Sequence, residues 1–234
     1  MGEAARRRRR DAAGRLMLGA LLDRPAGPLR VLAIGSHADD IELGCGGTLL
    51  ALAGGGAELE VTWVVLGADG ARADEARSSA GAFLTDAAAA TIVVEAFRDG
   101  FFPYVGGSVK ERFEALKAEV SPDVIFTHTG GDLHQDHRLV AELTWNTFRD
   151  HLILEYEIPK YDADLGQPNV YFPLPEAVVD RKISLLLEHF PSQRSRHWFT
   201  EDLFRALMRL RGMEGNSPTR YAEAFRCRKL VLTR

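Results

Sequence analysis

Cysteine is close to absent from this chain: Cys45 and Cys227 are the only two among 234 residues. Two thiols cannot build a disulfide framework, so a core must hold the fold, and a reducing, cytoplasmic compartment is the expectation. Charge of one sign is lacking too. Twenty-nine Lys and Arg against 33 Asp and Glu give a net charge of −4, so no global basic field points to nucleic acid. Neither Asn146-Thr147-Phe148 nor Asn216-Ser217-Pro218 forms an N-glycosylation sequon. The apolar stretch 16–22 follows the basic run 6–10 but is too short to span a bilayer. Asp11 and Arg15 interrupt that pattern, Asp23-Arg24-Pro25 closes it, and no small-x-small cleavage site follows. Residues 1–27 are therefore expected to form an amphipathic leader helix with a solvated basic face, and no transmembrane segment is expected.

What remains is ordinary globular composition, 46% hydrophobic and 26% charged, in a chain long enough to bury a full core. One domain over 1–234 is expected. The near-continuous apolar run 30–35 reads as a strand buried on both faces of a parallel sheet. A helix over 46–53, stopped by Gly54-Gly55-Gly56, and a strand over 59–66 follow. The pattern continues with a helix over 73–84, a strand over 91–94, a helix over 109–119, a strand over 123–127 and a helix over 137–148. Such alternation predicts βαβ units and a three-layer α/β/α Rossmann-like sandwich with a mostly parallel sheet. After residue 150 the rhythm changes. Strands over 151–158 and 169–172, helices over 175–189 and 201–211, and a last strand over 227–232 are expected. Residues 28–150 are read as a catalytic core and 151–234 as a substrate-shaping elaboration packed on the same sheet.

The chemistry follows two strands. The first runs into Ser36-His37-Ala38-Asp39-Asp40-Ile41-Glu42-Leu43-Gly44-Cys45-Gly46-Gly47, and the fourth into Thr127-His128-Thr129-Gly130-Gly131-Asp132-Leu133-His134-Gln135-Asp136-His137. Open parallel sheets bind ligands beyond the carboxyl ends of their strands, so the two segments can converge. Imidazole with carboxylate suits Zn²⁺, and two ligands from one loop with one from another leave a fourth position for water. Blander readings exist for each part. A lone strand-end Asp is usually a helix N-cap; an Asp pair can hold Mg²⁺ beside a phosphate, and a glycine-rich turn can cradle a nucleotide. Here the glycines do not fit G-x-G-x-x-G and no P-loop is present. His and Asp crowded into both strand-end loops favour the metal.

In combination these segments resemble the PIG-L/LmbE-like zinc-dependent N-deacetylases. His37-Ala38-Asp39-Asp40-Ile41-Glu42 followed by Gly44-Cys45-Gly46-Gly47-Thr48-Leu49 looks like that family's first signature, and His134-Gln135-Asp136-His137-Arg138 like its second. The resemblance covers residues 28–150, with similarity beyond at Ser192-Gln193 and Tyr221-Ala222-Glu223-Ala224-Phe225. Ala38 stands where the family usually has proline and Ser36 where alanine is common, and neither change removes a ligand. The resemblance implies His37, Asp40 and His137 as metal ligands, with Asp39 as general base. It implies that His134 steadies the tetrahedral intermediate and that Asp136 orients it. The cofactor implied is Zn²⁺, with Fe²⁺ or another divalent metal compatible. The reaction implied is removal of an acetyl or other short acyl group from the nitrogen of an amino sugar or glycoconjugate by metal-activated water. Homo-oligomerisation is left open. Elementary chemistry agrees, because zinc makes water acidic near neutrality while a neighbouring carboxylate collects the proton. Cys45 reads as a small buried residue, not a nucleophile. The alternative is a non-catalytic sugar or nucleotide binding module on the same scaffold, which presence of the full ligand set with Asp39 and His134 disfavours.

Substrate contacts are harder to read. Arg72 after the second strand and Asp99 after the third lie on the same edge, and similar positions in the family often touch sugar hydroxyls or phosphate. A surface charge and a turn-forming Asp-Gly are the plain alternatives. Phe101, Phe102 and Tyr104 are candidates for a sugar floor, His128 and Asp132 for support of the ligands, and Tyr221 and Glu223 for closing the pocket. Glu42 is explained by helix-start electrostatics. Tyr156, Tyr161, Tyr171, Trp198 and Tyr221 give the C-terminal part an aromatic share suited to stacking on sugar rings.

Overall fold

The chain is described by a computed structural model covering residues 27–56 and 58–231. The leader helix expected over 1–27 lies, Gly27 apart, outside the described residues. The layers follow from alternation within the strands. In β1 (Leu29–His37), Val31 and Ala33 face one apolar cluster while Leu32 and Ile34 face another, and all four are buried. Period-two side-chain placement turns an unbroken apolar run into two cores, one on each face of the sheet. β2 (Leu59–Gly67) repeats it, with Trp63 on one side and Val64 on the other.

Helices α1 (Asp40–Gly54), α2 (Gly70–Phe83), α5 (Glu176–His189) and α6 (Glu201–Glu214) cover the first face. Helices α3 (Gly106–Glu119) and α4 (Gln135–Thr147) cover the second. With β3 (Ala89–Val94), β4 (Val124–His128), β5 (Leu152–Tyr156), β6 (Val170–Leu174) and β7 (Tyr221–Arg226), the sheet has seven strands in the order β3-β2-β1-β4-β5-β7-β6. The first five are parallel; β7 runs antiparallel between β5 and β6. The expected α/β/α sandwich is therefore present. Strand order reverses at β1, whose neighbours are β2 and β4, so the segments after β1 and β4 flank the switch point where ligands bind. Among the described residues no helix is long and apolar enough to cross a membrane.

Two expectations need correction. The helix placed at 46–53 begins at Asp40; Gly44, in the stretch left out, is a packing position where an added Cβ would strike the Tyr156 ring, and the next two glycines serve the same end. A Cβ on Gly46 would come within 2.6 Å of Phe83, and one on Gly47 within 2.8 Å of Glu223 and Leu174. Among the described residues the last strand is Tyr221–Arg226, and 227–231, most of the stretch expected as a strand, forms none. Alternation in Tyr-Ala-Glu-Ala-Phe-Arg pairs with β6 through the register Tyr171↔Ala224, whereas Leu230 and Val231 are exposed.

Candidate metal centre

β1 delivers His37 to the carboxyl edge, and the chain must then turn sharply into α1. Asp39 makes that turn at φ 91°, ψ −20°, a left-handed conformation that costs a residue with a Cβ on the order of 1–3 kcal/mol. Asp39 stands at the N-cap position, yet its side chain makes no capping hydrogen bond. Its carboxylate instead faces the Arg72 guanidinium, Nη2 to Oδ2 3.4 Å. The next residue closes the loop: Asp40 Oδ2 accepts the His37 backbone N–H at 2.7 Å. After β4, His134 caps α4, with its Nδ1 accepting the Asp136 N–H at 3.3 Å, and Asp136 and His137 occupy the first turn.

Three side-chain atoms meet between the loops. His37 Nδ1 and His137 Nε2 are 3.2 Å apart, and Asp40 Oδ2 lies 3.5 Å from each. A tetrahedral ion with bonds of 2.0–2.1 Å has ligand-to-ligand edges of about 3.3–3.4 Å, so these atoms have the spacing of one tetrahedral face. Their orientation fits as well. His137 Nδ1 is bound to Asp132 Oδ2 at 2.9 Å, and His37 Nε2 is 3.1 Å from both Asp136 Oδ2 and Asp99 Oδ1. Carboxylates on the outer nitrogens keep the ring protons there and turn the inner lone pairs toward Asp40. Without a metal a proton on one ring can bridge these atoms, and a bound metal would replace it. Burial works against charge on His37, but hydrogen bonds with Asp136, Asp40 and Asp99 outweigh it and hold its imidazole well above the ordinary value. Asp40, despite burial, is held well below the carboxylate range by His137, His128 and His37. The cluster attracts positive charge, and a divalent ion matches the donor set.

The neighbours divide into those that touch the centre and those that hold it. Burial, opposed by Arg72, pushes Asp39 up to about 7. Burial and then the charges of His137 and His37 push His134 down, so its ring is neutral near neutral pH; with Nδ1 occupied as an acceptor, Nε2 carries the proton. His128 is buried, stacks on His137 with centroids 3.9 Å apart, and accepts the Ser36 N–H at 3.0 Å. Burial and His137 push it down to about 4. Burial raises the Cys45 thiol well above its ordinary range, in keeping with an unreactive core cysteine.

Several expected roles are redistributed. Asp136 does not orient His134 through its carboxylate: Oδ2 takes Gly100 N–H at 2.6 Å and faces His37, while Oδ1 takes Phe102 N–H at 3.1 Å. Only its backbone N–H reaches His134. Arg72 is engaged by protein, donating to Ala38 O at 2.5 Å, Glu75 Oε2 at 3.0 Å and Ser192 Oγ at 3.1 Å. Asp99 is largely exposed at the rim, where it meets His37. Phe102 is buried beside His37, while Phe101 and Tyr104 are exposed. Glu223 is spent on contacts within the protein. It is buried, accepting Gly47 N–H and Thr48 N–H at 2.7 Å, Thr48 Oγ–H at 2.6 Å and the Lys182 ammonium at 2.6 Å. Tyr156 is a core residue donating to Ile34 O at 2.6 Å, and of the five C-terminal aromatics Tyr161 is the most exposed. The sequence reading missed Glu75, Lys182 and Lys160. Their only trace was charge near a motif or in an apolar helix face, with no spacing to connect them to it.

Comparison with known proteins adds to this geometry. The profile of the family described as PIG-L, GlcNAc-PI de-N-acetylase, matches residues 32–148, half of the chain and both motifs. An uncharacterized deacetylase of Escherichia coli K12, YaiS, is 28% identical over 166 residues, 68% of this chain and 89% of that protein. Among solved structures, the N,N′-diacetylchitobiose deacetylase from Pyrococcus horikoshii aligns with TM-score 0.62 and 20% identity over 85% of this chain and 83% of its own. The 4-carboxy-2-hydroxymuconate hydratase GalB from Pseudomonas putida aligns with TM-score 0.69 and 16% identity over 88% and 98%. Likeness at that identity establishes the fold, and the fold by itself does not select the chemistry.

Proposed function

The chain belongs to the PIG-L, GlcNAc-PI de-N-acetylase, family, and from that premise we propose that it hydrolyses the N-acetyl or other short N-acyl amide of an amino sugar or amino-sugar conjugate. The observation that carries the reading is the tripod of His37 Nδ1, His137 Nε2 and Asp40 Oδ2, spaced as a tetrahedral face, with Asp39 adjoining it in sequence and free of any capping duty. His37, Asp40 and His137 would hold the ion, Zn²⁺ by donor type and Fe²⁺ by the same set. Bound there, a divalent metal supplies Lewis acidity, polarising an amide carbonyl and making water a nucleophile near neutral pH.

The rest is done by the chain. Asp39, a buried carboxylate with a pKa near 7, takes the proton from the attacking water and returns it to the leaving nitrogen, which turns amide and water into carboxylic acid and amine. Arg72 fixes the direction of that carboxylate and keeps part of it ionised. His134 donates from Nε2 to the carbonyl oxygen as its negative charge develops, the moment at which a neutral imidazole N–H helps most. Asp132 and Asp136 hold the imidazoles of His137 and His37 in register. Asp99, at the exposed rim beside His37, is the polar group best placed to meet a sugar hydroxyl.

The test is acetate release by the metal-loaded protein from a panel of N-acetylglucosamine glycosides, nucleotide sugars and glycopeptides. Release from at least one, abolished by chelation and restored by Zn²⁺ or Fe²⁺, supports the reading. Saturable binding without release from any of them would favour a binding module on the same scaffold.

A further inference from the structure

We propose that Lys160 is a positioning residue that sets how tightly the metal is held, acting through Asp132 on His137; the inference rests on the metal-site reading above. Lys160 Nζ lies 3.0 Å from Asp132 Oδ2, and that same oxygen binds His137 Nδ1 at 2.9 Å. One carboxylate oxygen is thus shared between an ammonium and the ring proton of a ligand. The line is sheltered: the Lys160 side chain is 11% exposed, that of Asp132 1% and that of His137 4%.

The contact belongs to a built arrangement. Asp164 Oδ2 holds the ammonium at 2.5 Å and also accepts the Leu133 N–H at 2.7 Å, next to the second motif. The turn that brings Asp164 back passes through Ala163 at φ 54°, a left-handed conformation rarely adopted by a residue with a Cβ. The segment 160–164, outside the family match at 32–148, clamps the loop that carries His134 and His137.

Two effects of the ammonium have the same sign. It draws electron density from Asp132 Oδ2, so the carboxylate pulls less on the His137 ring proton and Nε2 is a weaker donor. Its charge also repels a divalent cation across a poorly screened interior. Lys160 therefore lowers metal affinity and leaves the metal more electrophilic. A purely architectural lysine would do the reverse, because losing it would loosen Asp132 and weaken binding. Asp132 has other anchors, however. Its Oδ1 accepts the His134 N–H at 2.8 Å, and its own N–H donates to Thr129 O at 3.2 Å. Its orientation should survive without the lysine.

The experiment measures the Zn²⁺ dissociation constant by competition with a chromogenic chelator for the full chain and for Lys160→Met, Lys160→Gln, Lys160→Arg and Asp164→Asn, with folding checked by circular dichroism. Lys160→Met and Lys160→Gln should bind Zn²⁺ on the order of tenfold more tightly, and Lys160→Arg should stay within about twofold of the parent by restoring the charge. Asp164→Asn, which leaves the ammonium less neutralised, should bind severalfold more weakly, and it serves as the second probe if the Lys160 variants do not fold. Unchanged or weaker binding in folded Lys160→Met, or unchanged binding in Asp164→Asn, overturns the proposal. The underlying reading fails separately: the parent would then hold no more Zn²⁺ than His137→Ala.

Discussion

Lys182 and Glu223 form a buried ion pair that bolts the C-terminal part to α1, the helix that begins at Asp40, and its removal has a calculable cost. Their side chains are 4% and 3% exposed, with Nζ to Oε1 2.6 Å. Breaking a buried pair by deleting one partner costs about 3–5 kcal/mol, because the survivor is left charged in a medium that solvates it poorly. The two deletions should not be equal. In Lys182→Met the orphaned carboxylate keeps three donors, Gly47 N–H, Thr48 N–H and Thr48 Oγ–H, so a loss near 3 kcal/mol is expected. In Glu223→Leu the ammonium keeps, among the described residues, Leu43 O at 2.6 Å alone, and the two α1 amides and the hydroxyl lose a buried acceptor. A loss at or above 5 kcal/mol is expected there. The double variant should cost less than the two single losses added, by 1 kcal/mol or more at order of magnitude. Urea unfolding of metal-free protein followed by circular dichroism reads all three. Losses below about 1 kcal/mol for either single variant, or simple additivity, would refute the reasoning.

Other expectations concern the site. Asp39→Asn keeps the shape but cannot take a proton, so kcat should fall by about 10²–10⁴ while bound metal per chain is unchanged; steady-state kinetics beside elemental analysis checks both, and turnover within tenfold of the parent would assign the base elsewhere. Glu42 is fully buried, and burial, opposed only in part by Ser79, pushes it up to about 8 from an unfolded value of 4.5. An acid that ionises more easily when unfolded favours the unfolded chain increasingly as pH rises from 4.5 toward 8, by about 1.4 kcal/mol per pH unit at the limit. Glu42→Gln should accordingly gain stability over the parent between pH 5 and pH 8 in chelated protein, and a pH-independent difference in urea unfolding would contradict this.

Much of the fold was legible because apolar runs announce it. Residues 30–35 could only be a strand covered on both faces, and β1 is one. His37, Asp39, Asp40 and His137 stood out because strand ends of an open sheet share an edge, and the structure does bring them together. What was hidden depended on partners distant in sequence. Gly44 was left outside the helix because nothing local reveals that the Tyr156 ring, far along the chain, needs its space. Asp136 seemed to serve its neighbour His134, yet its acceptor atoms go to Gly100 and Phe102, more than 30 residues away in sequence. Arg72 looked free for a ligand until Ser192 and Glu75 arrived from the other end of the chain and the next helical turn. The tail 227–231, exposed from residue 228 on, resembled a strand by hydropathy alone, whereas β7 was disguised by a buried Glu223.

Metal content is the measurement that bears most directly on the centre. Elemental analysis of the purified, folded parent and of His137→Ala, each loaded with Zn²⁺ and freed of excess by gel filtration, should give about one ion per parent chain and a large loss in the variant, since one donor of three is gone. Circular dichroism must show the variant folded for the comparison to count. Equal metal in the two would contradict the account, for it would place the ion somewhere other than between His37, Asp40 and His137.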